Sequence, residues 1–160
     1  MTLDETLWQK LGSWRPPAGR HDTTVVEENT GWTATVTADR CDELGCLVWD
    51  LELRRSQTAT PRLDLQGWAQ AIEKRVTGLL ETLKVVEIDV VRNEGLLRSK
   101  VPSRRGDSLS YYEILLRGTT GAEVRRYQAK DNSTTPREQV AFALTHEVLA
   151  RFVADLTADM

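Results

Sequence analysis

Apolar residues recur along this chain at two different spacings, and the switches between them mark its elements. Leu3, Leu7, Trp8 and Leu11 fall three or four apart, which puts them on one face of a helix. Thr2 and Glu5 match a capping box and Gly12 supplies a stop, so a short helix is predicted over 3–11. Residues 13–20, with Pro16-Pro17, cannot extend it and read as a linker within the domain. A period of two then takes over. Residues 22–28 read as a strand, and Asn29-Thr30-Gly31 as a three-residue hairpin loop with glycine at the left-handed position. The next pairing follows from register. With a turn over 42–45, Cys41 faces Cys46, Ala38 faces Trp49, Val36 faces Leu51, Ala34 faces Leu53 and Trp32 faces Arg55. The opposite face pairs Thr37 with Asp50, Thr35 with Glu52 and Thr33 with Arg54. One side is almost all apolar and the other polar, as a half-buried antiparallel pair requires.

A polar connection over 56–62 leads to a second helix. Asp64 is its N-cap, and Leu65, Trp68, Ile72, Val76, Leu79, Leu80 and Leu83 form its stripe. Residues 85–129 then read as four short strands in up-and-down order, broken by Asn93-Glu94-Gly95, by a loop over 102–107 and by a turn over 118–121. In the last pair Glu113 sits across from Arg126 and Tyr112 across from Tyr127, or the register is moved by one. The charges Glu123, Arg125 and Arg126 suggest an edge position for the final strand. The chain closes with a helix over 136–156, with Thr135 as N-cap, Pro136 at the first position and Glu138 completing a capping box. The resulting order, αβββ-αββββ-α, is an α+β fold in which antiparallel strands pack against two longer helices and a short N-terminal one.

Composition adds bounds. A chain of 160 residues with 40% hydrophobic and 28% charged residues suits one soluble domain over 1–160 with its own core. No apolar run approaches the roughly 20 residues that span a bilayer. The start MTLDETLWQK lacks the basic, greasy pattern of a signal peptide. Cytoplasmic residence is the expectation, with no membrane partner. The net charge of −3 hides a skew: residues 92–130 carry nine Lys or Arg against four acids, and the rest carries twelve against twenty.

Chemistry is harder to find. His146-Glu147 opens like a zinc-protease motif, but the position of the second histidine holds Ala150. Cys41 and Cys46 are spaced for a disulfide across a hairpin, yet with no companion cysteine or nearby histidine they make a poor zinc site. The acidic loop with Asp39, Asp42 and Glu43 lacks EF-hand spacing. Gly118-Thr-Thr-Gly121 precedes a strand instead of a helix, which makes it a hairpin turn and not a phosphate cradle. No nucleophile sits beside a base, so no catalytic residue, cofactor or metal is assigned, and an enzyme is the less favoured class.

What remains is a basic, aromatic stretch. Arg98, Lys100, Arg104, Arg105, Tyr112, Arg117, Arg126 and Tyr127 are the candidate binding residues, suited to a protein or peptide partner or, as the alternative, to nucleic acid. The acidic balance of the whole chain argues against the latter. Trp8, Trp32, Trp49 and Trp68 are assigned to core stripes. Trp14, beside Arg15-Pro16-Pro17, has no periodic partner and is a candidate contact residue. In element order alone the chain resembles type III secretion chaperones. That resemblance implies a homodimer that holds a partner segment along its sheets. The expected function is therefore a non-enzymatic binding or adaptor domain using the sheet or a helix groove. A small-ligand pocket or enzyme assembled only in three dimensions is a further alternative.

Overall fold

A computed structural model of the chain describes residues 1–56, 61–131, 134–158 and 160. Helix α1 (Leu3–Ser13) starts as its sequence dictates, with the Thr2 backbone N–H donating to the Glu5 carboxylate at 3.2 Å. Leu3, Leu7 and Leu11 point inward. Trp8, one residue off that stripe, is 59% exposed and is not part of the core as predicted. Strands β1 (His21–Glu27), β2 (Trp32–Cys41) and β3 (Gly45–Arg55) form the predicted meander. The loop between β1 and β2 turns on Gly31, whose φ of 78° needs a residue without a Cβ.

The β2–β3 register matches the sequence reading from Trp32↔Arg55 to Thr37↔Asp50, and again at Cys41↔Cys46. Between these runs it breaks twice. Ala38 pairs with Val48, so Trp49 is the extra residue on β3 and Asp39 the extra one on β2. Each bulge reverses which face the following residues use. Cys41, Cys46 and Val48 therefore join the core, while Trp49 is half-buried and lies against Arg20, whose guanidinium stands 3.6 Å over its ring.

The connection predicted over 56–62 includes residues 57–60, which lie outside the described residues. Asp64 caps α2 (Leu65–Arg75), its carboxylate accepting from the Gly67 amide at 2.7 Å. This helix ends well short of the predicted 83, because Val76 is already extended and Leu83 opens β4 (Leu83–Asp89). β4 stops at Asp89, whose carboxylate takes the Arg92 amide and closes the turn; Val90 and Val91, predicted as strand, are exposed there. β5 (Glu94–Ser99) and β7 (Ser108–Arg117) follow. The predicted loop between them contains the short β6 (Ser103–Arg105), paired with β7.

β8 (Gly121–Lys130) is not at an edge. It lies between β7 and β3, in a sheet of order β1-β2-β3-β8-β7-β5-β4. Its inward Ala122 and Val124 are buried, and its charges are met by neighbours on both faces. The β7–β8 register is the one moved by a residue, with Tyr111↔Tyr127, Tyr112↔Arg126 and Glu113↔Arg125.

The closing helix is also shorter than predicted. Residues expected to be its first turns form β9 (Glu138–Val140), paired with β8, and β10 (Phe142–Thr145), paired with β3. Phe142 and Leu144 are buried while Ala143 and Thr145 are exposed, the period of a strand. The reason lies in β3: β8 pairs only with its 51–54 segment, leaving the amides and carbonyls of Gly45–Val48 to be matched by β10. Helix α3 (His146–Thr157) starts at Thr145, whose hydroxyl accepts from the Val148 amide at 3.1 Å. The three helices gather on one face of the sheet, α1 and α2 each touching α3, and the core lies beneath them. The fold is α+β, built on antiparallel strands. Among the described residues no helix is long and apolar enough to cross a membrane.

Candidate functional site

The opposite face of the sheet carries the polar set. Side chains alternate across a strand, so Arg98, Glu113, Arg125 and Asp50 fall in one row over β5, β7, β8 and β3. Their signs alternate. Arg98 Nε donates to Glu113 at 2.9 Å, and Arg125 lies 4.0 Å from Asp50. Arg137, in the segment before β9, reaches across to the same glutamate with two hydrogen bonds of 2.9 and 3.1 Å. Burial pushes the Glu113 carboxyl up, but the two guanidiniums outweigh it and hold the group below its ordinary value. At Asp50 burial wins, and the carboxyl sits above its ordinary value despite Thr37 and Arg125.

Beside this row two tyrosines pair across the strands, Tyr111 and Tyr127, their ring centroids 6.1 Å apart. The Arg137 guanidinium stacks 3.7 Å over Tyr127, and Arg98 lies 5.6 Å over Tyr111. With Arg20 on Trp49, this face presents three aromatic–guanidinium couples among the described residues.

The structure divides the sequence-predicted residues. Arg98 and Tyr127 belong to this patch. Arg117 is exposed at the far end of β7 and pairs with Glu123 at 3.2 Å. Lys100, Arg104 and Arg105 sit at the β5–β6–β7 end, where Arg104 pairs with Asp131 at 2.8 Å. Tyr112 and Arg126 face the other way, into the core. There Arg126 donates to both oxygens of Glu81 at 2.8 and 3.0 Å and stands 4.2 Å over the Tyr112 ring. Ser99 and Ser103 donate to the same carboxylate at 2.8 and 2.6 Å. Burial pushes the Glu81 carboxyl up, but these donors more than offset it and leave the group below its ordinary value. Trp14 is half-buried and packs against the core.

Sequence reasoning missed Glu81 and Arg137 as partners in these clusters. It also missed a third cluster. The bulged β2–β3 hairpin and the start of α3 bring Cys41, Cys46 and His146 together, all buried, with ligand atoms within 4.8 Å of one another. The absence of a histidine near the cysteines holds in sequence but not in space. Among the described residues this is the group of soft donors that could hold a metal. Comparison with protein-family models, curated proteins and solved structures finds no match to this chain.

Proposed function

We propose that the chain is a non-enzymatic binding module that holds an acidic segment of a protein partner against the open face of its sheet. The observation that carries this reading is the set of aromatic–guanidinium couples around Glu113. Tyrosine, tryptophan and arginine dominate the energetics of protein interfaces because they bring large contact area with little flexibility to lose. Here sheet packing and mutual stacking already fix them, which lowers the ordering cost of binding. Two guanidiniums share one carboxylate at Glu113, so the patch holds one more positive charge than negative and has donors left for a second carboxylate. A partner segment lying along the sheet is also the mode that the resemblance to type III secretion chaperones implies.

The alternative, nucleic acid, draws less support from the same residues. Base stacking needs free aromatic faces, and Arg137 occupies one face of Tyr127 while Arg126 and Tyr112 lie inside the protein.

Fluorescence anisotropy with three labelled peptides of identical apolar residues, flanked by Glu, Gln or Lys, tests the proposal. The Glu-flanked peptide should bind at least tenfold more tightly than the Lys-flanked one, and an Arg98→Ala/Arg137→Ala double variant should abolish that preference. Equal binding of all three overturns the reading. So does tighter binding of a single-stranded oligonucleotide with a steep loss in salt, the signature of phosphate contacts.

A further inference from the structure

We propose that Cys41, Cys46 and His146 form a zinc site that ties the tip of the β2–β3 hairpin to the start of α3. Two compensating bulges, at Asp39 and Trp49, turn both cysteines of a directly facing pair into the core. The turn between them is held by the Asp42 carboxylate, which accepts from the Leu44 and Gly45 amides at 2.9 and 3.0 Å. β10 then approaches the hairpin so closely that a Cβ at Gly45 would lie 2.5 Å from the Leu144 carbonyl. The His146 amide donates to Leu44 at 3.2 Å, which seats the first residue of α3 over the cysteines.

The donor geometry suits the ion. Cys41 Sγ lies 3.6 Å from His146 Nε2. Zn–S and Zn–N bonds of about 2.3 and 2.0–2.1 Å at tetrahedral angles set an S···N separation of about 3.5 Å. The protein atoms therefore already span an edge of the required tetrahedron. The charge also suits the place. Binding converts two thiols to thiolates and releases two protons to solvent. A divalent ion with two thiolates and a neutral imidazole carries no net charge, so burying it avoids the cost of an isolated ion. Three protein ligands and one solvent ligand make a complete zinc shell.

The site joins residues 105 positions apart in sequence, so its contribution is a cross-link across most of the fold. Burial pushes both thiols above their ordinary value.

The whole chain, purified under reducing conditions and freed of metal by a chelator, should take up one equivalent of Zn2+ by elemental analysis after dialysis. Co2+ in its place should give a thiolate-to-cobalt charge-transfer band and the intense visible bands of tetrahedral cobalt. Cys46→Ser and His146→Ala should each lower affinity at least a hundredfold. Near-ultraviolet circular dichroism checks that each variant is folded, and the cobalt spectrum of the unaltered protein stands whether or not a variant folds. Failure of the reduced wild-type chain to bind Zn2+ or Co2+ overturns the site. So does full occupancy in folded His146→Ala, which would leave the cysteines as the only ligands. A Cys41–Cys46 disulfide that forms with glutathione disulfide even in the presence of Zn2+ overturns it as well.

Discussion

Glu81→Gln is the substitution that bears most directly on how the interior is held. It keeps the shape of the side chain and removes the charge that Arg126 faces. The Arg126 side chain is only 9% exposed and that of Glu81 only 6%, so solvent cannot take over. Breaking a buried pair from one side costs about 3–5 kcal/mol, because the remaining charge is left uncompensated. At about 1.4 kcal/mol per decade, the unfolded fraction should rise between a hundredfold and a few thousandfold. With a urea slope of about 2 kcal/mol/M for a chain of this size, the midpoint should fall by about 1.5–2.5 M. Tryptophan fluorescence reports it directly, since Trp32 and Trp68 pack together in the core with ring centroids 6.0 Å apart. The companion test is Glu81→Leu with Arg126→Met. Replacing the whole pair by apolar groups is often close to neutral, so the double variant should be more stable than either single one. A midpoint shift below about 0.5 M for Glu81→Gln would mean a pair worth no more than an exposed one. Strictly additive single-variant effects would show that the two side chains are not coupled. Either result refutes the reasoning.

Two other outcomes follow from the geometry. Gly45→Ala should lower stability by about 1–3 kcal/mol through overpacking, because the new methyl would meet the Leu144 carbonyl; a fall in melting temperature checks it, and an unchanged melt would mean that β10 is free to move away. Glu113 and Asp50, in one row, should respond with opposite sign. The folded Glu113 carboxyl lies below the ordinary 4.5, so its stabilisation is present above that value and is lost as pH falls through the folded pKa. The folded Asp50 carboxyl lies above the ordinary 3.8, so its contribution declines as pH rises through that range. At pH 7, Glu113→Gln should destabilise by about 1–2 kcal/mol, allowing for the partial exposure of its arginines, and Asp50→Asn should raise stability by a few tenths. Urea melts between pH 3 and 7 separate the two.

The parts of the fold that were legible in the sequence are the ones set by local pattern. The β2–β3 hairpin announced itself because apolar and polar residues alternate on both strands and only one register sorts them. The starts of α1 and α2 were written in Thr2, Glu5 and Asp64. Where a local cue had two meanings, the longer-range partner decided. Thr135 and Thr145 each precede a glutamate, and Val140, Phe142 and Leu144 satisfy a strand period as well as part of a helical arc. The open edge of β3 tips them into strands, and nothing near residue 140 encodes that edge. Glu123, Arg125 and Arg126 looked like edge charges, but their neutralising groups come from Asp50, Arg117 and Glu81, on other elements. The site residues follow the same division. Arg98 and Tyr127 were visible as a basic, aromatic stretch. Arg137 and the Cys41–Cys46–His146 group were not, because a single bulge changes the face a cysteine uses, and strand periodicity alone does not place bulges.

The match between β10 and the tip of β3 has a consequence for how the chain is made. Those strands are separated by almost a hundred residues, and synthesis runs at about 5–20 residues per second. For roughly 5–20 s, then, a growing chain holds a finished β2–β3 hairpin with four residues of bare backbone at its tip. That interval is when a neighbouring nascent chain, or a chaperone, would find the hairpin easiest to capture.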